Sequence, residues 1–179
     1  EGLESDGAVV RRFAATPGPL FIASSFSKSF ALYGERVGAL TIVGASKDEA
    51  GRALSQLKRI IRTNYSNPPM HGGQLVATVL GNTELRALWE TELGTMRERI
   101  HTVRKILVER LRQLAPRADF SFVLRQRGMF SYSGLTRDQV ERLRKEFSVY
   151  AIDTGRICVA ALNSHNVEHV AQSIAKVIV

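Results

Sequence analysis

The stretch PLFIASSFSKSFALYGERVGALTIVG, residues 19–44, decides how the chain is read. Two apolar runs, LFIA and GALTIV, flank a segment in which one lysine, Lys28, stands among four serines and two phenylalanines. Short apolar runs bounded by turn residues read as strands covered on both faces, as in α/β folds. Arginine supplies most of the positive charge, and a solvated lysine usually keeps company with other charged side chains. Lys28 is therefore either a spare surface charge or an amine at a strand end. Desolvation there would push its pKa down and make it a nucleophile for a carbonyl compound. Ser25 and Ser27 could hold phosphate oxygens through hydroxyl and backbone donors, and Arg36 could add a charge-assisted bond.

Working outward, DGAVVRRFAAT reads as the end of a helix closed by PGP. SKDEAGRALSQLKRIIR is an amphipathic helix with Ser46 as N-cap and acids in its first turn, ended by the loop holding Pro68 and Pro69. QLVATVL is a buried helix or a strand, which periodicity does not decide. The longest helical pattern runs from about Asn82 to Leu114, through Leu85, Leu88, Trp89, Leu93, Met96, Ile100, Val103, Leu107 and Leu111. Such a helix spans about 45–50 Å, longer than a small domain is wide, so it should carry the chain from one domain into another. Beyond Pro116, FSFVL, MFSYS, VYAI and RICVA read as strands. TRDQVERLRKEF reads as a helix with Thr136 and Gln139 at capping-box spacing, and a last helix begins at Ser164.

Composition narrows the function classes. The 179 residues are 44% hydrophobic and 23% charged, and no apolar run is long enough for a bilayer-spanning helix. The N-terminus lacks a basic n-region and an apolar h-region, so it reads as no signal peptide, and it opens as though cut from something longer. A single cysteine, Cys158, in the apolar run ICVAAL, excludes an intrachain disulfide and suggests a buried inert thiol in a reducing, cytoplasmic setting. The net charge of +8 raises nucleic-acid binding. Much of it falls in 96–114 and 137–147, where Met, Ile, Val or Leu recur at helical spacing with acids mixed among the bases, as on amphipathic helices with solvated faces. HNVEH, residues 165–169, matches the H-x-x-E-H zinc pattern, but no later acid follows to complete a ligand set. Surface histidines at a helix start are the simpler reading, and no metal is expected.

SSFSKSFALYGERVGAL closely resembles the Schiff-base segment of class I, fold-type-I pyridoxal-phosphate aminotransferases. The likeness rests on Ser25, Ser27, Lys28 and, eight residues on, Arg36. IIRTNYSNPPMHG resembles the family's loop offered to the neighbouring subunit. QRGMFSYSGL and YAIDTGRICVAALN resemble the small-domain segments that close over substrate. All four occur in family order across the whole chain, nearest to the aspartate and aromatic-amino-acid branch.

The resemblance implies a role for each matching position. Lys28 is similar to the lysine that carries the cofactor and then shuttles the substrate proton. Ser25, Ser27 and Arg36 are similar to the phosphate-binding group. Arg156 is similar to the arginine that grips the substrate α-carboxylate, its alternative being an ion pair with Asp153. Arg62 is similar to the arginine that meets a dicarboxylic side chain from the partner subunit, its alternative being a helix-end cation. Asn64 and Ser66 lie in the same cross-subunit loop, and Phe130 in the segment lining the substrate pocket. Two residues depart from the pattern: Asp153 stands where relatives usually carry a small neutral residue, and Ala161 where a glycine is common.

The implied fold is α/β: residues 1–95 are the C-terminal part of the cofactor-binding large domain, mainly a parallel sheet with helices. The long helix of about 82–114 joins it to a small α+β domain over 96–179. The implied activity is ping-pong transfer of an amino group from an aromatic or acidic L-amino acid to a 2-oxo acid such as 2-oxoglutarate. A cytoplasmic homodimer with shared active sites would perform it, without nucleic acid or membrane. FSYSGL and RICVAALN resemble the aromatic branch slightly more than the aspartate branch. The alternatives are an aspartate aminotransferase proper, a degenerate paralogue, and an inert basic fragment acting as an interaction module. The family's ring-nitrogen aspartate, its tyrosine at the cofactor oxygen, its stacking ring and its glycine-rich segment have no counterpart here. The fragment alone is therefore expected to be inactive, the activity belonging to a longer parent.

Overall fold

The structure is a computed structural model and describes residues 1–178. The chain divides into two compact units, Glu1–Leu93 and Gly94–Val179.

In the first unit, two short helices, α1 (Leu3–Asp6) and α2 (Ala8–Ala14), precede strand β1 (Leu20–Ser25) and strand β2 (Gly38–Val43). The strands pair antiparallel, from Leu20 opposite Val43 to Ser25 opposite Gly38. A mainly parallel sheet is thus not what these residues form among themselves. Parallel neighbours need a crossover of a dozen or more residues, usually helical, whereas residues 26–37 only turn the chain back. The expected double cover is also missing, since Phe21 is 64% and Leu40 51% exposed.

Helix α3 (Lys47–Tyr65) starts as expected, with the Ser46 hydroxyl accepting the Glu49 N–H at 3.2 Å and Asp48 and Glu49 in the first turn. QLVATVL falls within helix α4 (Met70–Gly81). There Gly72 lets the helix approach the end of the hairpin, because a Cβ would lie 3.0 Å from Glu35 Cβ and 3.1 Å from Val37 Cβ. Helix α5 (Thr83–Leu114) is opened by the Asn82 side-chain oxygen, which accepts the N–H groups of Glu84 and Leu85 at 3.0 Å each. The division between the units falls inside α5.

The second unit owns nearly all of the core. Val103, Leu107, Val108 and Leu111 of α5 pack with Val140 and Leu143 of α7 (Arg137–Phe147) and with Val167, Ala171, Ile174 and Val177 of α8 (Val167–Val177). Phe120, Val123, Leu135, Val159 and Leu162 complete the cluster. Each helix contributes at three- and four-residue spacing, which turns one stripe inward. In the first unit, by contrast, α5 leaves Leu85 and Leu88 exposed. The capping box of α7 forms, Thr136 Oγ1 accepting from Gln139 N and Gln139 Oε1 from Thr136 N.

Two strand expectations fail and a third is shortened, each for a local reason. FSFVL holds instead the short helix α6 (Phe122–Arg125), because the Asp119 carboxylate accepts the Ser121 N–H at 2.7 Å and starts a turn. VYAI forms no strand, since Ile152 donates to Arg156 O within a tight turn. RICVA stays extended only in strand β4 (Arg156–Cys158), after which Val159–Ala161 coil into a 3-10 turn with Val159 and Ala160 donating to Met129 O. β4 pairs antiparallel with β3 (Phe130–Tyr132). The final helix begins later than Ser164, because the Asn163 side chain first caps the N–H groups of His165 and Asn166.

The core predicts the response to truncation. Leu143→Ala should cost ~2–5 kcal/mol and Thr136→Ala about 1 kcal/mol in urea unfolding, whereas Phe21→Ala on the open strand should cost far less than either. A second expectation concerns pH. Glu168 receives the Arg110 guanidinium on both oxygens at 2.6 Å and Gln172 at 2.8 Å, which holds its carboxyl below the usual range. A depressed folded pKa adds stability that is present above the unfolded value of about 4.3 and lost as pH falls through the folded one. Urea midpoints should therefore drop below about pH 4, and Glu168→Gln should flatten that drop.

Candidate active site

The hairpin loop of residues 26–37 gathers the first group of candidate residues. The ladder ends with the Phe26 N–H donating to Val37 O at 3.2 Å, so Ser27 and Arg36 follow next on the two chains. The Ser25 hydroxyl accepts the Ser27 N–H at 3.3 Å and lies 3.2 Å from the Ser27 hydroxyl. Ser27 is buried, while Lys28 beside it is exposed, with its Nζ 3.9 Å from the centre of the Tyr33 ring. The buried, desolvated setting expected for this lysine is thus not supplied by these residues, which leave Lys28 exposed. The loop reads as strained, with Ala31 and Arg36 holding φ of 55° and 52°. Strained backbone of this kind persists where the surroundings over-determine it, and it concentrates at functional sites. The Arg36 side chain is folded back, Nη1 donating to Tyr33 O at 2.9 Å, which leaves further N–H donors on the guanidinium.

The loop is anchored by residues whose site role the sequence did not announce. Trp89 donates its indole N–H to Ser29 O at 2.8 Å, one residue from Lys28. Phe30 stacks on Trp89 with centroids 4.8 Å apart, and Phe26 meets Phe30 edge-on at 5.5 Å. The sequence pattern reads Trp89 only as one apolar position of a long helix. The single tryptophan of the chain was the available signal, since a half-buried indole usually finds an acceptor.

Arg62, Asn64 and Ser66 lie on another element, the exposed C-terminal end of α3. Ser66 is strained, with φ 68° and ψ −67°, and the Asn67 N–H donates across it to Tyr65 O at 2.8 Å. This is a γ-turn of the rare positive-φ kind. Arg36 and Ser66 are two of the four non-glycine residues with positive φ among the described residues, and both are candidate site residues. Arg62 has no ion-pair partner among the described residues.

Phe130 and Arg156 belong to the second unit, on paired strands β3 and β4. The Arg156 guanidinium lies 5.0 Å from the centre of the Phe130 ring. The alternative ion pair with Asp153 does not form. Asp153 receives Arg144 Nη2 at 2.7 Å, with Arg137 at 4.0 Å, and the Arg144 hydrogen bond holds its carboxyl below the usual range. Gly155 makes the turn before Arg156 possible: its φ is +82°, and a Cβ would stand 2.7 Å from Leu135 O. Its carbonyl accepts from Ser133 N at 2.9 Å and Ser133 Oγ at 2.6 Å. The HNVEH residues are engaged elsewhere: His165 precedes α8, Glu168 is held by Arg110, and His169 Nε2 contacts Phe147 O at 2.9 Å. No cluster of three or more metal-ligating side chains occurs among the described residues.

Chemically, the first group offers an accessible primary amine on a turn that also carries hydroxyl, N–H and guanidinium donors. The second offers a planar cationic fork on an aromatic face, suited to a carboxylate. The family model for aminotransferase class I and II matches residues 2–174. Aspartate aminotransferase of Pseudomonas aeruginosa is 62% identical over 99% of this chain and 44% of its own length. Aromatic-amino-acid aminotransferase of Escherichia coli is 48% identical over 98% of this chain and 44% of its own length. Among solved structures, an aromatic-amino-acid aminotransferase from Burkholderia pseudomallei, covalently bound to pyridoxal phosphate, superposes with a TM-score of 0.96 at 63% identity, covering 100% of this chain and 45% of that one. The chain thus spans less than half the length of these relatives. It belongs to the class I and II aminotransferases.

Proposed function

We propose that this chain is part of a pyridoxal-phosphate-dependent aminotransferase that moves an amino group between an L-amino acid and a 2-oxo acid. The observation that carries the reading is the Lys28 turn. An exposed amine, the paired Ser25 and Ser27 oxygens and an arginine in strained backbone share one hairpin end. This donor set fits a phosphorylated carbonyl compound. Ser25, Ser27 and Arg36 would hold the phosphate by charge-assisted and neutral hydrogen bonds, and Lys28 would hold the carbonyl carbon. Pyridoxal phosphate supplies the carbonyl that takes up the amino group and the ring that withdraws electrons.

The chain's own residues do the rest. Lys28 accepts and returns the proton at the substrate α-carbon, a role its exposed amine and flexible stem allow. Arg156 binds the substrate α-carboxylate through its planar fork, with Phe130 supporting the guanidinium and the substrate's apolar part. Asp153 leaves Arg156 available because Arg144 and Arg137 engage it. Arg62, exposed at the end of α3, meets the distal carboxylate of a dicarboxylic substrate from within a homodimer, with Asn64 and Ser66 in the same cross-subunit loop. Residues 1–95 then belong to the cofactor-binding large domain and 96–179 to the small domain. The cytoplasmic setting suggested by the single cysteine is part of the same proposal. Relatives of nearly equal identity carry aspartate and aromatic names, so both substrate classes are assigned, with 2-oxoglutarate as the shared acceptor.

The basic interaction module is the weaker reading. The cations of α5 and α7 are interleaved with acids, as in the pairs Arg86–Glu90, Arg142–Glu146 and Lys145–Glu141, and form no uniform phosphate-facing stripe.

Adding pyridoxal phosphate, reducing with borohydride and mapping the peptides should give one adduct, at Lys28, that Lys28→Ala abolishes. Adducts scattered over surface lysines would sink the proposal. Arg36→Met should weaken cofactor binding by about 10- to 100-fold, as loss of a charge-assisted bond implies, without moving the adduct.

A further inference from the structure

Arg104, on the buried face of α5, is only 3% exposed, and no carboxylate lies within ion-pair reach of it among the described residues. An arginine stays charged, so this is a buried cation compensated by dipoles alone. Burial drives its pKa down from the ordinary value. The guanidinium donates to Gln126 O through Nη1, and to Gly128 O at 2.6 Å and Ser131 Oγ at 3.2 Å through Nη2. Its Nε is buried with no hydrogen-bond partner among the described residues. A buried group left this poorly satisfied calls for an explanation, and a hydrophobic residue of similar size would fill the same space more cheaply.

The acceptors show what the charge achieves. Gln126, Gly128 and Ser131 bracket the turn that leads into β3, and Ser131 is itself 2% exposed. The Gln126 side chain grips the other end, donating to Tyr132 O at 3.0 Å and accepting from Tyr132 N at 2.8 Å. Met129 O receives Val159 N at 2.9 Å, which ties the turn to the end of β4. Between these fixed points stands Phe130, whose ring carries the Arg156 guanidinium, and Tyr132 is the register partner of Arg156. The planar fork aims two separate nitrogens at acceptors on three residues, a spread that the single nitrogen of an ammonium would not reproduce.

We propose that Arg104 is a positioning residue for carboxylate recognition: by clamping residues 126–131 from α5 it fixes Phe130, and through Phe130 the direction of Arg156. The carboxylate part rests on the reading of Arg156 given above, while the clamp itself does not.

Two variants test it, Arg104→Lys and Ser131→Ala, the second removing one acceptor while leaving the buried charge in place. In the 179-residue chain labelled with 15N-arginine, the Arg156 side-chain N–H resonance reports its position over the Phe130 ring. In the cofactor-loaded full-length protein, 3-phenylpropionate, a carboxylate without an amino group, reports affinity. Both variants should move the Arg156 resonance and raise the Kd for 3-phenylpropionate. Arg104→Lys should raise it by about 10- to 100-fold, the scale of a misplaced binding group. KM for the amino acid should rise more than kcat falls, and the borohydride adduct at Lys28 should be unchanged. Lower melting temperatures with an unmoved Arg156 resonance and an unchanged Kd would overturn the proposal and leave Arg104 a purely structural staple. If Arg104→Lys fails to fold, Ser131→Ala decides alone. If wild-type protein binds no 3-phenylpropionate, the reading of Arg156 fails, and the resonance still decides the clamp.

Discussion

The pairing of β1 with β2 is the constraint on which the candidate cofactor group depends. Because the strands run antiparallel and the ladder ends at Phe26 and Val37, Ser27 and Arg36 leave the sheet side by side. A one-residue slip would turn every side chain of β1 to the other face and separate the serines from the arginine. Register in an exposed hairpin is weakly specified by burial, and here much of both strands is open to solvent. What pins it instead lies outside the ladder: Trp89 holds the carbonyl of Ser29, Phe30 stacks on that indole, and Gly72 seats α4 against Val37.

The two units reach order by different means. The second is held by a continuous apolar cluster between α5, α7 and α8, and its polar devices are set into that frame. The capping box of α7, the Arg110–Glu168 pair and the Arg104 clamp each use a side chain to settle backbone or charge that the core has already brought close. The first unit has few buried side chains, Val76 and Ser27 among them, and leaves Phe21, Leu40, Leu54 and Ile60 largely exposed. Apolar surface of that extent is ordinarily covered by further structure, and this chain spans less than half the length of its relatives.

Strain marks the positions where chemistry is proposed. Ala31 and Arg36 hold positive φ in the Lys28 loop, and Ser66 does so at the end of α3. None is glycine, so the backbone cost is kept for the sake of the side chain or its neighbours. Around Arg156 the device is different. A glycine with positive φ makes the turn, and two arginines of α7 draw Asp153 aside. The Asp153 carboxylate is thus engaged by arginines other than Arg156.

Much was legible in the sequence because it is local. The N-caps at Ser46 and Thr136, the stop at Pro68 and Pro69, the two strands around Lys28 and the long helix all follow from spacing and side-chain type. Family membership was legible too, since four motifs in order are a property of the chain itself. The rest depended on partners distant in sequence. FSFVL and VYAI have strand composition, yet an Asp119 turn and the Ile152–Arg156 turn left them no neighbouring edge to pair with. Trp89, Arg104 and Asp153 looked like an apolar helix position, a surface cation and a rival for Arg156. Sequence fixes which donors and charges a chain carries, whereas the acceptor each one meets is set by packing, because hydrogen bonds and ion pairs act over a few ångströms that only the fold can close.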